Sequence, residues 1–166
     1  MRKVVIINPF GIGDVLFSMP LVSVIKKNFP GSRIVYICNR RAFDLLKTNP
    51  GLDRIFIYEK DDFRQLWNTD KAGCVKRIWS LFRDLKGEGF DTAIDLSLGC
   101  RYSMYFQLMG VRTRIGFNYR QRGRFLTKRL TIDGFSGKHV VEYYLDLMKL
   151  IGIVVAPGDN EVGIKL

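Results

Sequence analysis

The sequence predicts an α/β fold in which a parallel sheet carries helices on both faces. Three observations predict it. Short runs rich in Val and Ile recur along the chain, in "KVVIIN", "SRIVYIC", "RIFIYE" and "DTAIDL", and their apolar character is continuous, the mark of strands covered on both sides. Between them lie segments whose apolar residues repeat at helical spacing. Clusters of Pro, Gly, Asn and Asp separate the two kinds of segment, and strands that alternate with helices imply parallel pairing.

The first strand is placed at Lys3–Asn8. It has a basic start, but its apolar stretch of four residues is too short for a secretion leader. From Asp14 the positions Val15, Leu16, Met19, Val22, Val24 and Ile25 recur at near-helical spacing, until "KKNFPG" closes the helix with cations and a Pro-Gly stop. Pro20 lies inside it and predicts a kink. Ser32–Cys38 is the second strand, Arg41–Lys47 a short helix, "NPGLD" a turn and Arg54–Glu59 the third strand. A longer helix is expected over Ala72–Lys86, with Val75, Ile78, Trp79, Phe82 and Leu85 on one face, ended by "GEG". Asp91–Leu96 is the fourth strand, followed by a helix over Arg101–Met109. Arg112–Phe117 is the fifth, "FLTKRLTI" a candidate sixth, and His139–Ile151 a closing helix. The whole reads as one Rossmann-like domain, and the tail "VVAPGDNEVGIKL" as the start of a linker.

Size and composition narrow the function. The 166 residues suffice for one core, and no apolar run approaches the roughly 20 residues that span a bilayer. Cys38, Cys74 and Cys100 are odd in number and far apart, which excludes a disulfide framework and standard zinc spacing and points to a reducing compartment. Charge is the unusual feature, at +11. Between Asp95 and Asp133 there is no acid, while Arg101, Arg112, Arg114, Arg120, Arg122, Arg124, Lys128 and Arg129 all fall in that gap. Such a field favours a polyanionic partner: nucleic acid, an anionic membrane surface or a phosphorylated substrate. The plainer reading is a solubilising face.

Ligands of open parallel sheets bind beyond the carboxyl ends of the strands, where strand order reverses. The turn after the first strand, "NPFGIGDVLF", belongs there. A dinucleotide fingerprint would need a third glycine where Leu16 stands and an acid where the second strand runs into "CNRR". A P-loop would need Gly-Lys-Ser/Thr, which is absent. Two readings of Asp14 remain. It can cap its helix, or it can be a carboxylate offered to a bound hydroxyl. A cap leaves Gly11 and Gly13 unexplained, whereas close approach of a ligand to the backbone accounts for them.

At this point the chain resembles glycosyltransferase family 9, the lipopolysaccharide heptosyltransferases, and specifically their N-terminal domain. The resemblance rests on the ordered set "VVIINPFGIGDVLFSMPLVSVIKKNFPGSRIVYIC", "NPGLDRIFIYE", "FDTAIDLS", "RIGF" and "GKHVVEYYLDLMKLIGI", which covers about residues 3–155. It implies the N-terminal half of a GT-B fold: an acceptor-binding domain over 1–153, then the start of an interdomain linker over 154–166, with the donor domain absent. It implies inverting transfer of a heptose-type sugar from a nucleotide sugar to a lipopolysaccharide inner-core acceptor, with Asp14 as general base. The donor, of ADP-heptose type, would bind in the C-terminal half, so no cofactor and no metal are expected in this domain. The implied partners are a phosphorylated lipid-linked sugar, the anionic inner face of the cytoplasmic membrane, and that donor domain; the implied location is cytoplasmic and peripheral.

Gly11, Gly13, Arg101, Arg120 and Arg122 are the candidate substrate contacts, since Arg grips phosphate and carboxylate as a fork. In "DLSLGCRYS", Ser97 stands where the family often carries Gln, and the glycine is displaced. Phe117, Tyr119 and Phe125, interleaved with arginines, would also suit a lipid interface or single-stranded nucleic acid, although without an RNA-binding signature no nucleic acid is expected. His139, the only histidine, is expected to serve the start of its helix, while Trp67, Trp79 and the Tyr102/Tyr105/Phe106 cluster are expected to serve core or helix-face packing. The opposing functional reading is a non-enzymatic module for anionic ligands or membrane surfaces.

Overall fold

A computed structural model describes residues 1–156 and 158–159. Six strands, β1 (Lys3–Ile7), β2 (Arg33–Cys38), β3 (Arg54–Ile57), β4 (Thr92–Asp95), β5 (Thr113–Tyr119) and β6 (Lys128–Ile132), form one sheet in the order 3-2-1-4-5-6. Every pairing in it is parallel. The helices are α1 (Ile12–Phe17), α2 (Met19–Asn28), α3 (Arg40–Leu46), α4 (Lys60–Thr69), α5 (Lys71–Glu88), α6 (Arg101–Leu108) and α7 (Val140–Lys149). Strand order reverses between β1 and β4, so the loops that follow these two strands flank the crevice.

Alternate strand residues feed two cores. Val4, Ile6, Ile34, Tyr36, Ile94 and Ile115 pack under Leu21, Val24 and Ile25 of α2, Leu46 of α3, and Tyr144, Leu147 and Met148 of α7. Val5, Ile7, Val35, Ile37 and Ala93 face the other way, where Leu85 of α5 and Phe106 of α6 are the buried helical partners. Each buried Val, Leu, Ile, Phe or Met among them contributes about 1.5–3 kcal/mol. The second face is the more thinly covered.

The structure departs from the expected elements in three places. The helix starting near Asp14 is two helices, because Ser18 closes α1 and Pro20 sits in the first turn of α2, where its missing N–H is harmless. Helix α4 was not visible in "KDDFRQLWNT", whose three apolar residues mark no full stripe. It forms as a hairpin with α5, tied by the Asp70 carboxylate accepting from Gly73 N–H and the Cys74 thiol donating to the Phe63 carbonyl. Trp67 and Trp79 do not pack in a core: they are 49% and 65% exposed, and Val75 and Ile78 are exposed with them. Phe106 is buried as expected, while Tyr102 and Tyr105 are half-buried. The tail read as a linker lies outside the described residues at 157 and 160–166. Within the tail, Asp159 pairs with Lys27 of α2 at 3.0 Å.

The return from β5 to β6 is made without a helix. The chain doubles back along β5, with Gly123 N–H donating to Asn118 Oδ1, and Thr127 N–H to the Arg114 carbonyl. The Arg114 guanidinium donates to the carbonyls of Phe125 and Val111. Arg114 therefore holds the fold and is not among the free cations of the acid-free stretch.

Candidate active site at the carboxyl edge of the sheet

Asn8 ends β1 and is fully buried. Its side-chain amide donates to the Asp14 carbonyl at 3.0 Å, and its Oδ1 accepts from Phe10 N–H at 3.2 Å, so one residue pins both ends of the glycine turn. From the neighbouring strand, Asn39 donates to the Phe10 carbonyl while its Oδ1 caps α3 at Ala42 N–H. The turn is thus held rigidly from beneath. Asp14 is not the cap of α1: that position belongs to Gly11, which makes no side-chain cap bond, and Asp14 lies in the first turn. The capping account of Asp14 is thereby overturned. Its carboxylate is half-exposed and has no hydrogen-bond or ion partner among the described residues. Gly11 and Gly13 are exposed, and a Cβ on either would meet nothing within 4 Å. The chain's own packing does not require glycine at either place.

Below α1 lies a polar seam that the sequence did not announce. The Ser18 hydroxyl meets the Val15 carbonyl at 2.7 Å and the Tyr36 hydroxyl at 2.5 Å. Tyr144 from α7 is buried nearby, its hydroxyl without a partner among the described residues. Burial pushes the Tyr144 phenol well above its usual range, and the charge of Asp14 adds to the effect. Burial does the same for Tyr36. Both therefore stay neutral phenols under the acid. His139 caps α7, Nδ1 accepting from Val141 N–H at 3.4 Å, and its ring meets Phe17 of α1 edge-on at 4.9 Å. That is the structural role expected of it.

On the β4 side of the crevice, Asp95 Oδ1 accepts from Ser97 N–H and Oγ at 3.0 and 2.6 Å, which fixes the loop leading to Arg101. Asp95 Oδ2 is buried without a partner among the described residues. Burial pushes this carboxyl from its ordinary 3.8 up to about 7, against the pull of the Ser97 hydrogen bonds. The folded chain therefore holds a proton that the unfolded chain releases near pH 4. Stability from this group is full below that point and is lost as pH rises through about 7. Asp95→Asn is expected to remove the slope. Urea titrations between about pH 4 and about pH 8 should show the variant gaining on the parent by at most about 4 kcal/mol, with no further change above that range.

Arg101 opens α6 and is exposed. Arg120 and Arg122 follow β5. Arg120 and Gln121 both have positive φ, 47° and 60°, and Arg122 N–H donates to the Tyr119 carbonyl at 3.0 Å, which makes a tight turn of the mirror-image kind. The Arg120 guanidinium lies 5.0 Å from the Tyr119 ring and that of Arg124 4.5 Å from Phe125. Phe117, expected among the surface aromatics, is instead buried against Phe135. Its place inside a central strand explains this.

The fold brings Gly11, Gly13 and Asp14 (after β1), Arg101 (after β4) and Arg120 and Arg122 (after β5) to one edge of three adjacent strands. It does not bring these side chains into contact with one another among the described residues. Nor, among the described residues, do three His, Cys, Asp or Glu side chains converge there to hold a metal. Asn8, Asn39, Ser18, Tyr36 and Tyr144 are the site's supports. Only the position of Asn8, a polar residue ending an apolar strand, signalled one of them.

A six-stranded parallel sheet in 3-2-1-4-5-6 order defines a Rossmann-like domain of the kind that forms the N-terminal half of GT-B glycosyltransferases. Residues 78–164 match the model of Glycosyltransferase family 9 (heptosyltransferase), and the chain belongs to that family. Lipopolysaccharide heptosyltransferase 3 of Escherichia coli is 23% identical over 143 residues, 85% of this chain and 40% of that protein. Lipopolysaccharide core heptosyltransferase OpsX of Haemophilus influenzae is 25% identical over 167 residues, 99% of this chain and 44% of that protein. The solved structure of E. coli heptosyltransferase WaaC with ADP-2-deoxy-2-fluoro heptose shares the fold at a TM-score of 0.79 and 16% identity, over 97% of this chain and 52% of that one. The chain thus spans about two-fifths to one half the length of these relatives.

Proposed function

We propose that this chain is the acceptor-binding domain of an inverting glycosyltransferase that moves a heptose-type sugar from a nucleotide sugar to a lipopolysaccharide inner-core acceptor. The observation that carries the reading is the Asp14 carboxylate, without a partner among the described residues, on a rigid turn at the switch point with two open glycines beside it. Asp14 takes the proton of the acceptor hydroxyl as its oxygen attacks the anomeric carbon. The new C–O bond forms on the face opposite the nucleoside diphosphate, which leaves with the electron pair of the bond it breaks. Gly11 and Gly13 let the acceptor sugar lie against the backbone. Arg101, Arg120 and Arg122 hold its phosphate or carboxylate groups. A donor of ADP-heptose type, the ligand class named for WaaC, binds in a C-terminal domain. Residues 1–153 form the acceptor domain and 154–166 begin the linker. The enzyme works at the cytoplasmic face of the inner membrane as a peripheral protein. No helix among the described residues is long and apolar enough to cross a membrane.

The test is to join this chain to a donor domain of the family and follow nucleotide release from ADP-heptose with a deacylated acceptor. Turnover that depends on both halves supports the reading. An assembled enzyme that binds ADP yet turns over nothing, while the chain alone binds anionic vesicles indifferently to Asp14, would favour the non-enzymatic module instead. Gly13→Ala separates fold from function in the same assay. The substitution is expected to raise stability by about 0.5–1 kcal/mol, since the residue is helical and its Cβ meets open space. The acceptor KM should nonetheless rise, because the methyl occupies the approach. Thermal unfolding and acceptor kinetics check the two halves of that statement.

A further inference from the structure

Helix α5 carries more apolar surface than the domain uses. At 100° per residue its apolar side chains occupy an arc close to half the helix. Cys74 and Leu85 are buried at one margin of that arc. Val75, Ile78 and Trp79 occupy the rest and are 55%, 42% and 65% exposed. Trp79 stacks on Phe82 with ring centroids 6.2 Å apart. Trp67 on α4 continues the surface, and beneath it runs a groove of about 480 Å³ floored by Ile7 and Ile37 and reaching Arg101. Exposed apolar side chains scattered singly need no account, but a contiguous patch marks an interaction site.

The charges around the patch select the partner. Helix α5 carries Lys71, Lys76, Arg77, Arg83 and Lys86 against Asp84 and Glu88. Glu88 is already held by Arg33 and Arg54. A second copy would set cations against cations. An apolar stripe with tryptophans, edged by Lys and Arg, on a helix about 27 Å long by its rise, is instead the composition of an element lying in the plane of an anionic bilayer. The last described residues pack toward α2 on the opposite face of the sheet, where Asp159 meets Lys27.

We propose that the α4–α5 hairpin is a docking surface for an anionic phospholipid bilayer. Val75, Ile78, Trp79 and Trp67 enter the headgroup–acyl boundary, and Lys71, Lys76, Arg83 and Lys86 meet the lipid phosphates. The orientation rests on the acceptor reading: Arg101 lines the groove, so docking presents the switch-point edge to a lipid-anchored sugar.

The chain has two tryptophans and both lie on this hairpin, so intrinsic fluorescence reports on it alone. Phosphatidylglycerol–phosphatidylcholine vesicles are expected to shift the emission to the blue, and brominated acyl chains to quench it, while pure phosphatidylcholine does neither. The double variant Val75→Ser/Ile78→Ser alters exposed positions and should fold normally by circular dichroism, yet lower vesicle partitioning about tenfold or more. Lys76→Glu/Arg83→Glu should do likewise. Three results would overturn the proposal: vesicle binding that leaves the fluorescence unmoved, binding kept by both hairpin variants but abolished by Arg120→Glu/Arg122→Glu, or a blue shift that grows with protein concentration without lipid. Transfer to a deacylated, soluble acceptor does not involve the hairpin, so a failure here is distinguishable from a failure of the catalytic reading.

Discussion

Asp14→Asn is expected to lower sugar transfer by the assembled enzyme about 10²–10⁴-fold while the domain stays folded. The replacement keeps shape and polarity but cannot take a proton. Because the Asp14 carboxylate bonds to nothing else among the described residues, its loss removes no internal contact. The bond that pins the turn runs from Asn8 to the main-chain carbonyl of residue 14, which the substitution leaves in place. The one stabilising interaction forfeited is that of an acid in the first turn of a helix, about 0.3–1 kcal/mol. A general base acts in the transition state, so kcat should fall with little change in the acceptor KM. Steady-state kinetics with circular dichroism on the same samples test this. A variant that keeps more than about a tenth of the parent rate would remove Asp14 from the chemistry and leave it as a helix-end charge.

Gly116→Ala is expected to be the most damaging single methyl in the domain, at about 3 kcal/mol and a fall in Tm of roughly 6–12 °C. A Cβ at this position would lie 2.6 Å from the Asp95 carbonyl oxygen and 3.2 Å from the Leu126 side chain. The carbonyl cannot yield, because Gly116 is paired with Asp95 on β4 and with Arg129 on β6 in the middle of the sheet. Relief would require β4 and β5 to part, which would disturb both the Asp95–Ser97 loop before Arg101 and the return loop that carries Arg120 and Arg122. Gly13→Ala is the matched control, since its methyl meets nothing. Equal Tm values for the two variants would show that the sheet adjusts and that the close contact is unimportant.

Much of this was legible in advance, and the residues show why. Continuous Val/Ile runs can satisfy their backbone only in a sheet covered on both faces, so β1, β2 and β4 were readable within a residue or two. The glycine turn and Asp14 were readable because Gly-Ile-Gly-Asp after such a strand has few other uses. Helix α4 was not readable, since an acid-rich turn with three apolar residues forms only when a neighbouring helix supports it. The exposure of Trp67, Trp79, Val75 and Ile78 was not readable either. Periodicity states which residues share a face and says nothing of what stands opposite.

The class of the fold, the succession of strands and helices along the chain and the acid in the turn after the first strand were thus determined by local pattern, because alternation and turn chemistry act between near neighbours. Tertiary structure alone decided that Gly11 and not Asp14 ends the helix, that Arg114 serves the β5–β6 return while Arg101, Arg120 and Arg122 remain exposed, and that Asp95 lies buried with an unpaired oxygen. It also left one side of α5 exposed among the described residues. Each of these depends on which distant segment arrives beside a residue, and that is a property of packing, not of sequence spacing.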